Sequence, residues 1–325
     1  MKRSLYLGLA LLILAGPAAA QDFPSKGHPI TMIVPNSAGG GTDTAARLFA
    51  PLMEKDLGVP VQVVNRPGAG TQVGLSVAAA AKPDGYTLVW TVFPATSAIY
   101  LDPDRKATFG RKDLQPVAIV YNSPFAVAVR SSAPYKTLRV LVDAAKARPG
   151  ELRGGTTGFM TTGHFANLGF QRATGIKLAV VNFEGGAPEI TAVLGGHIEV
   201  SFNSTGELVT HAKAGTLRVL GILGDEKSEF LPDVETLRGH GYQSGSVGSV
   251  VYVGLAAPAG LPGKTVERLT NSVQKAMNDE NVKAKMYTLG NTLLYLGPHE
   301  FSAFWDDLDI KLKPVLEMAK QQQGK

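Results

Sequence analysis

The thirteen residues Pro35-Asn36-Ser37-Ala38-Gly39-Gly40-Gly41-Thr42-Asp43-Thr44-Ala45-Ala46-Arg47 constrain the fold more tightly than any other stretch of the chain. Before them, Pro29 to Val34 is a short apolar run that reads as a buried strand. After them, Ala45, Ala46, Leu48, Phe49, Leu52 and Met53 recur at helical spacing. The order is therefore strand, glycine loop, helix. Three glycines let the backbone come close to a bound molecule, and Thr42 is placed to cap the helix. The first turn of a helix has unpaired N–H groups and a positive dipole end, which together suit an anion. An ordinary strand-to-helix turn reads the same way, so the loop alone leaves both possibilities open.

Strand and helix signals alternate along the rest of the chain. Val61 to Asn65 reads as a strand, Thr71 to Ala81 as a helix and Tyr86 to Val92 as a strand. Phe93 to Lys112 reads as irregular, and two strands are expected at Val117 to Tyr121 and Phe125 to Arg130. Leu138 to Ala147 is a helix stopped by Pro149 and Gly150. A second glycine-rich loop, Gly154 to Gly163, leads into a helix from His164. Further strands are expected at 176–183, 198–202, 217–223 and 250–256, with helices opened by Pro188, Thr205, Lys264 and Glu300. Such alternation predicts α/β layers on largely parallel sheets. If each glycine loop belongs to its own domain, two helix starts face each other across a cleft, where ligands of α/β sheets sit.

The N-terminus predicts export. Lys2 and Arg3 precede an apolar run from Leu5 to Ala15 and a small-residue site, Ala18-Ala19-Ala20, with cleavage expected after Ala20. The run is too short to span a membrane, and polar sequence follows from Gln21. Removing residues 1–20 leaves 305 residues and takes the formal net charge from +5 to +3. That surplus is small and dispersed, which argues against nucleic acid. The chain has no cysteine, so disulfides, thiolate metal sites and cysteine nucleophiles are excluded. A chain of this length buries roughly three-quarters of its unfolded surface without them, and two domains are the expected division.

No enzyme pattern holds up. Gly241-Tyr242-Gln243-Ser244-Gly245 places its serine one residue late for a nucleophile elbow. Gly260 to Thr265 lacks the glycine spacing of a phosphate loop, and Gly68-Ala69-Gly70 with Gly74 misses the dinucleotide spacing. The six histidines are scattered without a metal-binding pair, so neither a metal nor a cofactor is expected. His164, at the mouth of the second loop, suits capping or bracing better than catalysis.

Seven landmarks in order carry a family resemblance. They are Ile33-Val34-Pro35 with Ala38-Gly39-Gly40-Gly41-Thr42-Asp43, then Val64 to Gly70, Lys82 to Leu88, Ala145 to Gly150, Leu194 to Glu199 and Ala256 to Gly260. The chain resembles the extracytoplasmic solute receptors of the tripartite tricarboxylate transporter family, also called Bug receptors. The resemblance implies a type II periplasmic-binding-protein fold, a Venus flytrap of two α/β domains. Domain I would comprise 21–122 plus 245–325, and domain II 123–244. It also implies a periplasmic monomer that closes on a small carboxylate, with bridging waters, and delivers it to membrane subunits. The loop carrying Asn36, Ser37, Ala38, Gly39, Gly40, Thr42 and Asp43 would hold one carboxylate through backbone N–H groups and waters. The loop carrying Gly158, Phe159, Thr161, Thr162 and His164 would supply donors from the other side, chiefly Thr161 and Thr162, which also suit capping of their own helix.

Several residues depart from the family pattern. Asn36-Ser37 replaces a small aromatic or proline, Asn182-Phe183-Glu184 carries an acid where a base is common, and Asn203 stands where an aspartate often does. Phe93, Phe159, Met160 and Phe183 are expected to form a bulkier apolar wall favouring an aromatic or longer-chain acid; core packing is the alternative for all four. A periplasmic sensor feeding a membrane kinase would need the same liganded lobes, and an exported enzyme is the third class.

Overall fold

The computed structural model describes residues 23–243 and 247–321. The expected leader and its cleavage point therefore lie outside the described residues. The chain runs β1 (Ile30–Val34), α1 (Gly41–Leu57), β2 (Val61–Asn65), α2 (Gln72–Ala79), β3 (Thr87–Phe93) and α3 (Ala95–Leu101). Two 3₁₀ turns lead into β4 (Leu114–Arg130), followed by α4 (Leu138–Ala147), β5 (Arg153–Thr156), α5 (Thr162–Thr174) and β6 (Ala179–Asn182). Next come α6 (Gly186–Leu194), β7 (Val200–Ser204), α7 (Thr205–Lys213) and β8 (Leu217–Ile222). The last elements are β9 (Val250–Pro258), α8 (Gly263–Met277), α9 (Glu280–Thr288), β10 (Thr292–Leu296) and α10 (Pro298–Gln321).

Helix α1 forms because Ala45, Ala46, Phe49, Ala50, Met53 and Leu57 fall on one buried stripe. It begins two residues earlier than Thr42 would set it. Gly40 is the N-cap residue, so Thr42 lies in the first turn and is not the cap. The helix stops at Gly58, whose φ of 73° lets its N–H reach the Glu54 carbonyl.

Strands join in the order β2-β1-β3-β9-β4-β7-β5-β6, with β8 and β10 also paired to β4. Only the flanks are parallel: β1 with β2 and β3, and β5 with β6 and β7. Around β4 and β9 every pairing is antiparallel, which corrects the expectation of largely parallel sheets. The cause is β9, which returns from late in the chain between β3 and β4.

β4 is one strand where the sequence predicts two. Asn122-Ser123-Pro124 looks like a break, yet these residues pair with Tyr252, Val251 and Val250 of β9. From Phe125 onward β4 pairs instead with β7 and β8. One strand thus serves two sheet halves and changes partners beside Pro124, whose missing N–H suits the end of a ladder. The second expected crossing, near Gly245, falls outside the described residues. Another difference is α3, within the stretch expected to be irregular. Its Thr and Ser are weak helix formers, but Thr96 and Ser97 are buried and the Thr96 hydroxyl bonds Val92 backbone. No helix among the described residues is long and apolar enough to cross a membrane.

Candidate functional site

Helix starts from both sheet halves line one cavity, with Thr71 at the cap of α2 and Ala95 at the start of α3 among them. Gly41 and Thr42 come from α1, Thr161 and Thr162 from α5, Gly185 and Gly186 from α6, and Gly206 and Glu207 from α7. Each turns the positive end of its helix dipole toward the same space. Val92, Ala95, Tyr121, Phe125, Val251 and Val253 make its apolar wall. Asn36, Thr71, Thr157, Asn203, Ser204 and Asn291 add polar side chains, and among the described residues Glu207 is the one charged side chain of the lining. A smaller recess beside it adds Ser37, Gly40 and Ala187.

On the α1 side the loop amides already have carboxylate partners. Gly39 N–H donates to Asp43 Oδ2 at 2.9 Å, and Asp43 also accepts from Arg47 Nε and Asn65 Nδ2. Burial acts to raise the Asp43 pKa, but the bonds from Arg47, Gly39 and Asn65 outweigh it and hold the carboxyl below its ordinary value. Asp43 therefore shapes the loop and does not line the cavity. Gly41 N–H donates to Glu207 Oε1 at 2.9 Å, a bond that crosses from one sheet half to the other. Burial pushes the Glu207 carboxyl up, opposed by the Gly41 N–H and the Asn203 amide. Its Oε2 is buried without a hydrogen-bond partner, as is Asn36 Oδ1.

Behind Glu207 stands a second acid. Glu189 is 0% exposed and accepts from Ser201 Oγ and Asn203 Nδ2, both at 3.0 Å. Burial, with the Glu207 charge added, pushes its pKa up to about 7. Asn203 is the shared bridge between the two carboxyls.

On the α5 side no charged side chain takes part. Thr161 Oγ1 donates to Gly158 O at 2.7 Å and lies 3.0 Å from Thr157 Oγ1. Thr161 is the N-cap residue of α5 but makes no side-chain cap bond, so its hydroxyl holds the loop and does not cap the helix. Thr162 Oγ1 donates to Phe93 O at 3.3 Å, again between halves. His164 is 3% exposed, and burial drives its pKa down to about 4, so the ring is neutral. Its Nδ1 accepts from Met160 N–H at 3.4 Å, which braces the loop. His164 lines a separate outer cavity with Leu168 and Gln171, not the central one.

Of the residues singled out from sequence, Asn36, Ser37, Gly40, Thr42, Thr161, Thr162 and Asn203 meet at the cavity and its recess. Ala38 and Gly39 lie exposed on the outer side of their loop, and Gly158, at φ 136°, forms the turn of the second. The expected aromatic wall is corrected: none of its four residues lines the cavity. Phe93 is 0% exposed, its ring 4.7–5.7 Å from Phe301, Phe304 and Trp305. Pleating sends Phe93 away while its neighbour Val92 faces in. Phe159 and Met160 pack with Leu312 and Leu316 of α10, and Phe183 packs with Ile190 and Val193.

Sequence reasoning missed Glu207, Gly185-Gly186, Asn291 and the Tyr121, Phe125, Val251 and Val253 wall. Gly185-Gly186 ahead of Pro188 is a third glycine-bearing helix start and could have been found. A Cβ on Gly186 would run into the Glu207 carboxylate, so a side chain there would displace Glu207 from its place. Among the described residues no group of three or more His, Asp or Glu side chains is placed to hold a metal ion.

The architecture matches known proteins. The family model described as "Tripartite tricarboxylate transporter family receptor" matches residues 45–319. BugT of Bordetella pertussis is 30% identical over 90% of this chain and 89% of its own length. A solved structure titled as a periplasmic transporter superposes with a TM-score of 0.84 at 30% identity, covering 91% of this chain and 97% of that one. MatC from Rhodopseudomonas palustris, solved with bound malate, gives a TM-score of 0.80 at 26% identity over 89% of this chain and 98% of its own.

Proposed function

We propose that this chain, which belongs to the tripartite tricarboxylate transporter family of receptors, captures a small carboxylate in its central cavity and delivers it to a membrane transporter. The family and the fold are those of solute-binding receptors. One observation carries the reading: helix starts from two sheet halves line a single cavity. Converging N–H groups and dipole ends favour an anion without a buried arginine. Each charged hydrogen bond to the carboxylate contributes about 1.5–3 kcal/mol. Malate in the related MatC is consistent with this chemistry.

Capture works by closure. Residues 21–122 with 245–325, and residues 123–244, act as two bodies hinged where β4 changes partners. The bonds Ser37 Oγ to Glu184 O, Gly41 N–H to Glu207 and Thr162 Oγ1 to Phe93 O then mark the closed seam. A periplasmic setting follows from the family and the expected leader. The receptor works as a monomer, which suits the family's role and the lining of the cavity by residues of one chain.

The test is a thermal-shift screen of residues 21–325, refolded from denaturant, against aliphatic and aromatic mono- and dicarboxylates. A ligand at 100 times its Kd adds about 2.7 kcal/mol of stability. A carboxylate-specific shift supports the reading. Stabilisation only by uncharged solutes would overturn it.

A further inference from the structure

The central cavity is unevenly charged. The α5 side offers threonine hydroxyls and helix-start amides. The opposite side holds the Glu207 carboxylate and the Asn36 amide, with one buried acceptor oxygen of each left unpartnered. Arg47, the nearest base on α1, is engaged by Asp43 and by Asn65 Oδ1. The influences on Glu207 are burial, the Gly41 N–H and Asn203, with no cation among them. Asn203, which also donates to Glu189, is the neutral side chain that opposes burial at Glu207.

A buried carboxylate without a counter-charge is costly unless something donates to it. A simple dicarboxylate would not relieve that cost. Held at α5 by one end, it would bring its second carboxylate against Glu207, and like charges disfavour sharing a site. A positively charged nitrogen has the opposite effect. It donates to Glu207 Oε2 and Asn36 Oδ1 together and supplies the missing charge.

We propose that the ligand is an amino acid in the broad sense, whose carboxylate sits at the α5 threonines and whose ammonium sits between Glu207 and Asn36. This rests on the carboxylate-receptor reading and narrows it. Glu207 then also reports ligand state, because its Oε1 already spans the cleft to Gly41 N–H. An ammonium at Oε2 adds to that bridge and favours the closed form.

The test is calorimetric titration of the refolded mature protein with length-matched pairs: succinate and 4-aminobutyrate, glutarate and 5-aminopentanoate, adipate and 6-aminohexanoate. Putrescine, which has no carboxylate, is the control. The amino member of at least one pair is expected to bind at least tenfold more tightly than its diacid. In Glu207→Gln that preference is expected to vanish. Tighter binding of the diacid in every pair overturns the inference while leaving the carboxylate receptor standing. Unchanged preference in Glu207→Gln overturns it too. Binding of putrescine alone supports the ammonium site and overturns the carboxylate reading, and no binding by any probe overturns both. The wild-type comparison needs no variant, so misfolding of Glu207→Gln would not rescue the idea.

Discussion

The loops before α1 and before α5 look alike in sequence and behave differently in the structure. Both follow a strand, both carry glycines and threonines, and both open a helix at the same cavity. Ahead of α1, two amides are occupied by carboxylates, Asp43 at Gly39 and Glu207 at Gly41. Ahead of α5, hydroxyls and a neutral His164 do the holding. A helix start is thus an anion site only where no acid of the protein is already seated on it.

The largest effect should come from the α5 side. Replacing Thr161 and Thr162 together by Val removes two hydroxyls from the carboxylate's surroundings. Affinity for the best-binding acid should fall about a thousandfold, near 4 kcal/mol. Titration showing less than a tenfold loss would move the anion to the α1 side.

Glu189 tests the acid side. Its pKa is raised from 4.5 to about 7, so the folded protein binds more protons than the unfolded chain between those values. Stability is then full below pH 4.5 and declines as pH rises through 7. Glu189→Gln should gain roughly 3 kcal/mol over wild type at pH 8 and nothing at pH 4.5. Urea midpoints at the two pH values would read this. An equal difference at both would mean the carboxyl is ionised throughout.

His164 should respond in the opposite direction. Its pKa is lowered from 6.5 to about 4, so the unfolded chain takes up the extra proton. The stability it contributes is present above pH 6.5 and is lost as pH falls toward 4, again roughly 3 kcal/mol at most. Replacement by Asn, which keeps an acceptor for Met160 N–H, should flatten that acid limb. A limb of unchanged slope would assign the acid sensitivity to other groups.

The smallest effect on stability is expected at Gly40. Its φ is −76°, and an added Cβ would meet Ser37 O at 3.5 Å and Glu207 Oε1 at 3.7 Å, which are ordinary contacts. Gly40→Ala should therefore change stability by less than about 0.5 kcal/mol. Gly40→Val, whose branches reach into the recess, should fold and lose ligand. Wild-type affinity in the valine variant would remove this loop from the site.

Legibility differed from element to element. α1, β1 and β2 were readable because each is a local pattern: a buried stripe at helical spacing, or a short strand run closed at or just before a proline. β4 was not, since Asn122-Ser123-Pro124 breaks the local signal and only β9 holds the strand through it. α9 and β10 were missed for a related reason. β10 is short and only half-buried, and its pairing with β4 comes from far along the chain.

The sequence by itself determined the alternation of strands and helices, the glycine-bearing helix starts and the family, because these depend on spacing within short segments. Tertiary structure alone decided which helix starts meet, and which aromatics face away from them. It also decided that Glu207 crosses the cleft to Gly41. No local pattern carries that bond, since its partners lie 166 residues apart and β4 must change sheets to bring them together.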